Sequence, residues 1–397
     1  MLYIAMKILM GDRAKFVGLI LGITFTAFLV TFAASYFAGF MTRGFALISE
    51  NSPTDVWVMD PAVVSVEQTI NMPISILNRV RSTEGVRYAV PLTIGSVDAR
   101  FPNGRIQSFQ VIGVDDATLA GAPKLMDGSS PNLLRTPDAV IVDPGGTSGK
   151  LETPIRRIDQ WPHQGVRLDV PTRELKAGDE LLVNDRRIKV VGLSKTLPRF
   201  PPRPLIYTSY SNAVRILPQE RTTLTYVMAF AQPGISGQQV AHSLQQQTGL
   251  RARSSEEFKA DTVRWNLINS EDVGDMAAML ILAMTVGFGV TGVMLYMFTY
   301  ENLTQYAVLK AMGTSQTMLL LMIFFQAGVC AFLGTGIGIG VCAVIGKIIV
   351  QLGYPFRMMW FTPLVGALGV LVISLIAALI SVRPVFKLDP GVVFAGR

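Results

Sequence analysis

Charge and cysteine are what this sequence has least of. Only 16% of its 397 residues are charged, against roughly 25% in soluble globular chains. Half the residues are hydrophobic and the mean hydropathy is +0.41, a balance that excludes an ordinary soluble domain and points to membrane. The two cysteines, Cys330 and Cys342, share one apolar run. On a single helix they would lie about 18 Å apart, at about 1.5 Å rise per residue, beyond disulfide reach. Any polar domain must therefore be held by an apolar core. Two histidines, His163 and His242, with no H-E-x-x-H pattern and no paired cysteine ligands, exclude the familiar zinc motifs, so the metal expectation is none. No G-x-S-x-G elbow occurs, and no residue is assigned a catalytic role. The net charge of +7 is scattered, without the aromatic-interleaved basic stripe of a nucleic-acid binder.

A phosphate-binding loop is missing as well. The nearest approach is Pro144-Gly-Gly-Thr-Ser-Gly-Lys150-Leu151. A P-loop needs Gly where Pro144 stands and Ser or Thr where Leu151 stands. The segment reads as a surface turn between strands, and the chain is not expected to hydrolyse ATP by itself.

What the sequence does have is four long runs free of Asp, Glu, Lys and Arg: 16–41, 276–300, 318–346 and 363–382. Each supplies the roughly 20 apolar residues needed to cross a bilayer. The first run exceeds the roughly 7–15 residues of a signal-peptide core, so it reads as a retained span. Ionisable groups inside spans mark ion or proton paths, and these interiors have none. Four such helices make a poor conduit. Their most polar groups, Gln326 and scattered threonines, suit helix–helix hydrogen bonding. In the third span Gly334, Gly336, Gly338 and Gly340 give small-xxx-small spacing twice. This pattern serves helix packing within a subunit or a dimer contact equally well.

Basic residues orient the spans. Segments 1–15, 301–317 and 383–397 carry Lys7, Arg13, Lys15, Lys310, Arg383, Lys387 and Arg397. The opposite flanks, 42–60, 256–275 and 347–362, carry Arg43, Lys259, Arg264, Lys347 and Arg357 over a longer stretch. The bias places both termini in the cytoplasm and 42–275 outside it.

Region 42–275 changes character, with Pro, Asp, Asn and Arg every few residues. Strands are expected at 55–59, 88–101, 105–114, 226–231 and 250–253, and helices at 75–83 and 237–247, so βαβ-like units bracket both ends. The middle, about 116–204, reads as a β-rich insertion with strands at 139–142, 180–183 and 188–193, the last two joined by a turn at Asn184-Asp185. Residues 255–275 read as a helical stalk with Phe258, Trp265 and Ile268 as apolar contacts, running into the second span. The expected fold class is an α-helical membrane protein with four transmembrane helices, plus a large α/β (α+β) extracytoplasmic domain inserted between spans 1 and 2.

Between spans 2 and 3 stands ENLTQYAVLKAMGTS, residues 301–315. Its polar residues come first, and Val308, Leu309, Ala311 and Met312 follow around Lys310. Gly313 can stop a helix, and Thr314 or Ser315 can cap the next. By pattern alone this is either a short helix at the membrane surface or an ordinary loop.

The stretch resembles the cytoplasmic segment of MacB/FtsX-type ABC permeases, E-R-x-x-E-I-x-x-L-[RK]-A-[LM]-G-A-S, matched by Glu301, Leu309, Lys310, Ala311, Met312, Gly313 and Ser315. Gln305 stands where that family usually has Glu, and Asn302 where it often has Arg, which implies altered charge pairing with a partner ATPase. The tail at 383–390 is similar to the family's P-x-x-x-L-D-P ending, and 1–23 to its basic entry into span one; more loosely, the layout resembles the DevC branch. The resemblance implies a mechanotransmission permease of the bacterial inner membrane with a MacB-like periplasmic domain. The coupling segment 301–317, with Glu301, Gln305, Leu309, Lys310, Ala311, Met312 and Gly313, would receive motion from a separate ATPase subunit that binds ATP and Mg. This chain itself would hold no cofactor. The resemblance further implies a permease homodimer embedded in membrane lipid. A periplasmic adaptor and an outer-membrane channel would join it, exporting a hydrophobic or amphipathic compound. The alternatives are a lipoprotein-releasing or cell-wall-hydrolase-regulating relative, or a non-transporting membrane sensor or structural protein without an ATPase partner.

Overall fold

Apolar side chains that cannot be hydrated leave the backbone to satisfy its own hydrogen bonds, and helices do this locally. In a computed structural model of the protein, four helices among the described residues are long and apolar enough to cross a membrane: Arg13–Gly44, Glu271–Glu301, Gln316–Gln351 and Phe361–Val385. The structure describes residues 2–386 apart from 52, 129, 148–149, 156–164, 168 and 218–222. His163, Ser148, Gly149 and the tail 387–397 lie outside these. The chain divides into two compact units, one of Met1–Phe40 with Ser270–Arg397 and one of Met41–Asn269.

The helical unit comprises α1 (Leu2–Gly11), α2 (Arg13–Gly44), α3 (Glu271–Glu301), α4 (Leu303–Ala311), α5 (Gln316–Gln351) and α6 (Phe361–Ser381). Helix α2 packs against α3, α5 and α6, and glycine makes each approach close. A Cβ at Gly287 of α3 would run into the Thr26 side chain, and one at Gly366 of α6 into Thr31. Small residues allow such contact, and hydroxyls add hydrogen bonds. Thr26 Oγ1 lies 2.9 Å from Thr291 Oγ1 and donates to the Gly287 carbonyl at 3.1 Å. Ser35 Oγ donates to Thr362 Oγ1 at 3.1 Å. Cys330 and Cys342 are free and buried.

The α/β unit is built on a nine-stranded sheet. Its strands are β1 (Val56–Met59), β2 (Val86–Arg100), β3 (Ile106–Val114), β4 (Ala139–Asp143), β5 (Glu180–Val183), β6 (Arg186–Leu193), β7 (Leu205–Ser209), β8 (Tyr226–Ala231) and β9 (Arg251–Ser254). Their order is β9-β1-β8-β2-β3-β7-β4-β6-β5. Helix Ser75–Arg81 connects β1 to β2, and helix Gly237–Thr248 connects β8 to β9. Neither connection joins adjacent strands. Strand β8 lies between β1 and β2, and β1 lies between β8 and β9, all antiparallel to their neighbours. The two halves are therefore split β-α-β units, each filling the gap in the other.

Side chains on β1 alternate faces, as the pleat requires. Val56 and Val58 pack with Ile76, Leu77, Val240 and Leu244 of the two helices, while Trp57 and Met59 enter a second core with Tyr226 and Phe258. Strand β2 changes partner midway, pairing with β8 up to Leu92 and with β3 from Thr93. Pro91 falls in the stretch paired with β8, where β2 does not yet meet β3 and a missing N–H is tolerated. At Asn184 and Asp185, φ is 47° and 61°, the left-handed pair that a tight hairpin turn between β5 and β6 demands.

Two expectations need correction. The helix from residue 255 does not run on as a stalk: it ends at Asn269, Ser270 is extended, and α3 starts at Glu271. Phe258 is fully buried, but Ile268 is 75% exposed and makes no core contact. The sequence reading also passed over β7 and the helix Tyr210–Ile216 behind it.

Candidate functional site

The segment between α3 and α5 is helical over Leu303–Ala311. Its stop follows from Gly313, whose φ of +93° suits glycine alone. The Thr314 N–H donates to the Leu309 carbonyl at 3.1 Å and the Gly313 N–H to that of Lys310 at 3.0 Å, the paired bonds of a Schellman stop. Ser315 then caps α5, its hydroxyl accepting from the Met318 N–H at 3.4 Å.

One face of α4 is anchored. Tyr306 is fully buried, and Leu309 is 6% exposed in a cluster with Ala5, Leu319, Met322, Ile323, Val382 and Val385. The Tyr306 hydroxyl donates to Gln326 Oε1 at 2.8 Å, and Gln326 Nε2 donates to the Ala5 carbonyl at 2.8 Å. One buried polar chain thus ties α4, α5 and α1 together. At the entrance to the segment, Lys15 Nζ lies 2.7 Å from Glu301 Oε2 and 2.9 Å from Asp12 Oδ2. Glu301 is thereby paired within the chain. Asn302, where the resemblance expects Arg, donates through Nδ2 to the Phe298 carbonyl at 2.7 Å.

The opposite face is open. Thr304, Gln305, Val308, Ala311 and Met312 are exposed, with Val308 at 40% and Met312 at 70%. Lys310 is half-buried. The site residues taken from sequence therefore divide. Gln305, Ala311 and Met312 face outward, whereas Leu309, expected to offer an apolar contact to a partner, is turned into the unit's own core. Sequence reasoning missed Tyr306 and Lys15 as anchors and Val308 as part of the outer face. Spacing would have found Tyr306 and Val308, since 302, 306 and 309 make one helical stripe and 304, 308 and 311 another, but not Lys15, which comes from a different helix.

The glycines of α5 divide too. A Cβ at Gly334 would come within 2.7 Å of Ile23 Cγ2, and one at Gly338 within 2.6 Å of both Ala27 Cβ and the Thr24 carbonyl. These two seat α5 on α2. A Cβ at Gly336 or Gly340 meets nothing within 4 Å, and Gly336 lines an apolar groove of about 730 Å³ between α5 and α6.

The described start of the P-loop-like stretch, residues 144–147, forms a turn after β4. Gly145 and Gly146 have φ of +57° and +87°, and the Thr147 N–H donates to the Pro144 carbonyl at 2.8 Å. Among the described residues no group of His, Cys, Asp or Glu is placed to hold a metal.

Residues 277–390 match the family model described as FtsX-like permease C-terminal. The matched segment covers α4 and α5 whole, with nearly all of α3 and the last apolar helix. Over this segment, less than a third of its length, the chain is similar to the FtsX-like permeases. No curated protein matches the chain. Among solved structures it is similar to the periplasmic region of MacB from Actinobacillus actinomycetemcomitans, at 12% identity over 55% of this chain and 94% of that one, with a TM-score of 0.35. It is also similar to the extracellular domain of the noncanonic ABC-type transporter YknZ from Gram-positive bacteria, at 12% identity over 51% and 98%, with a TM-score of 0.32. Likeness at this level carries no argument about function.

Proposed function

We propose that this chain is an FtsX-like permease, the membrane subunit of an ABC-type export system that works by mechanotransmission. A separate ATPase subunit binds ATP and Mg, and its motion enters the permease at α4. The observation that carries the reading is the asymmetry of α4. One face is locked to α1 and α5 through Tyr306 and Gln326, and the other presents Val308, Ala311 and Met312 to a partner. Exposed apolar side chains beside polar Gln305 suit a protein contact. From α4 the motion has a route to α5, from α5 to α2 where Gly334 and Gly338 seat it, and from α2 along the chain into the α/β unit. Substrate need not pass between the spans.

In this reading the chain sits in the bacterial inner membrane with both termini in the cytoplasm. Residues 42–275 form a periplasmic domain, and two permeases pair in the complex. A periplasmic adaptor and an outer-membrane duct complete the export path for a hydrophobic or amphipathic compound. The test is Ala311→Glu, which places an unpaired charge in the proposed contact, at a cost of about 3–5 kcal/mol if the site is fully buried by the partner. Co-purification of the ATPase and transport should fall together while the permease still inserts and melts as before. Wild-type ATPase binding and transport in this variant would make α4 an ordinary connection.

A further inference from the structure

The α/β unit encloses a polar cavity of about 380 Å³, lined by Arg43, Arg199 and Arg203 together with Glu67, Asn71 and Gln110. Arg199 is 8% exposed. Its Nη2 donates to Glu50 Oε2 and, at 3.2 Å, to the Tyr207 hydroxyl. Its Nε and Nη1 are buried and have no hydrogen-bond partner. A guanidinium carries five N–H donors and does not give up its charge. Three donors of a buried cation therefore go unanswered, in a family of side chains that is seldom fully buried unless paired.

Charge around the cavity has the same sign. Three arginines line it against one carboxylate, Glu67, and counting Glu50, which already serves Arg199, still leaves one positive charge in excess. The amides of Asn71 and Gln110 can donate or accept, so they set no preference against an anion. Guanidinium groups favour planar or tetrahedral oxyanions that accept two parallel N–H bonds. The volume falls at the small end of ligand pockets, which run from about 300 to 1,000 Å³, enough for a phosphate or a short carboxylic acid but not for a long acyl chain.

We propose that this cavity binds the oxyanion end of a ligand, a carboxylate or phosphate group, with Arg199 and Arg203 as its cationic wall. The group belongs either to a free small anion or to the headgroup of an anionic amphipath whose tail stays outside. The proposal is independent of the coupling role of α4, because binding needs neither nucleotide nor ATPase.

The experiment uses the full chain in phosphatidylcholine nanodiscs, without ATPase, and measures binding by calorimetry. The probes are inorganic phosphate, succinate and dihexanoyl phosphatidic acid, with dihexanoyl phosphatidylcholine and sucrose as controls. At least one anionic probe should bind and both controls should not. Binding of phosphate or succinate identifies a free anion as the source. Binding of the phosphatidic acid alone identifies a headgroup. Arg203→Gln changes an exposed side chain and leaves the buried Glu50–Arg199 pair intact, so it should fold normally and weaken binding at least tenfold. The paired replacement Glu50→Gln with Arg199→Gln, which strands no buried charge, should abolish it. Failure of all three anions to bind, equal binding of a control, or wild-type affinity in both variants overturns the proposal.

Discussion

At the residue scale, glycine spacing and glycine use part company. Four glycines of α5 fall at matching intervals, yet only Gly334 and Gly338 meet α2, within 2.7 and 2.6 Å of where a Cβ would stand. Gly338→Leu would drive a side chain into the Thr24 carbonyl and the Phe28 backbone, and overpacking of this kind costs about 1–3 kcal/mol. The detergent-solubilised protein should melt clearly lower. Gly336→Ala and Gly340→Ala, which meet nothing, should leave melting unchanged or raise it slightly, since Ala is the better helix former. Equal losses at all four positions would mean that α5 is not seated on α2 in this way. The Tyr306–Gln326–Ala5 chain gives a second test. Gln326→Leu leaves the buried Tyr306 hydroxyl without its partner, at about 1–3 kcal/mol. Tyr306→Phe should cost less, and the double variant should lose less than the two single losses together, because the pair acts as one unit. Strict additivity in thermal melts would show that the two side chains do not cooperate.

At the scale of the element, α4 depends on its ending. Gly313 allows the chain to leave the helix through the left-handed region and to begin α5 three residues later, at Gln316, which Ser315 caps. A residue with a Cβ pays about 1–2 kcal/mol in that conformation. Gly313→Val should therefore loosen the turn between α4 and α5 without removing any side chain of the outward face. ATPase stimulation should decline more than ATPase binding, which co-purification alongside hydrolysis assays would resolve. A parallel fall in both would assign Gly313 to the contact itself. Much of α4 was readable from spacing: the stop, the cap and the polar start are all local chemistry. The inward turn of Leu309 was not, because an apolar residue on a short helix carries no label for the neighbour it will meet.

At the scale of the whole molecule, the two units fold by different rules. The helical unit buries glycine and hydroxyl contacts around α2 and exposes apolar side chains such as Phe332 and Leu371. The α/β unit buries both faces of its sheet. That contrast suits one unit in lipid and one in water, and it yields a topology test. The native cysteines are buried, so single cysteines can be placed at exposed Lys124 and Thr317 without background. A membrane-impermeant thiol reagent applied to spheroplasts should modify Lys124→Cys and spare Thr317→Cys. The opposite pattern would invert the proposed orientation.

The sequence by itself determined where the apolar helices fall, where α4 stops, where β5 turns into β6 at Asn184-Asp185, and that an α/β unit of mixed strands and helices lies between the first two apolar helices in the chain. Each of these is written in consecutive residues, through hydropathy, period or backbone preference. The tertiary structure alone decided that β8 inserts between β1 and β2, that β7 joins the sheet beside β3, that α5 uses Gly334 and Gly338 but not Gly336 and Gly340, and that Glu50 meets Arg199 across 149 residues. Such pairings join segments far apart in the chain. Several partners of equal hydrophobicity or opposite charge are available to each, and only simultaneous packing of the whole core selects among them.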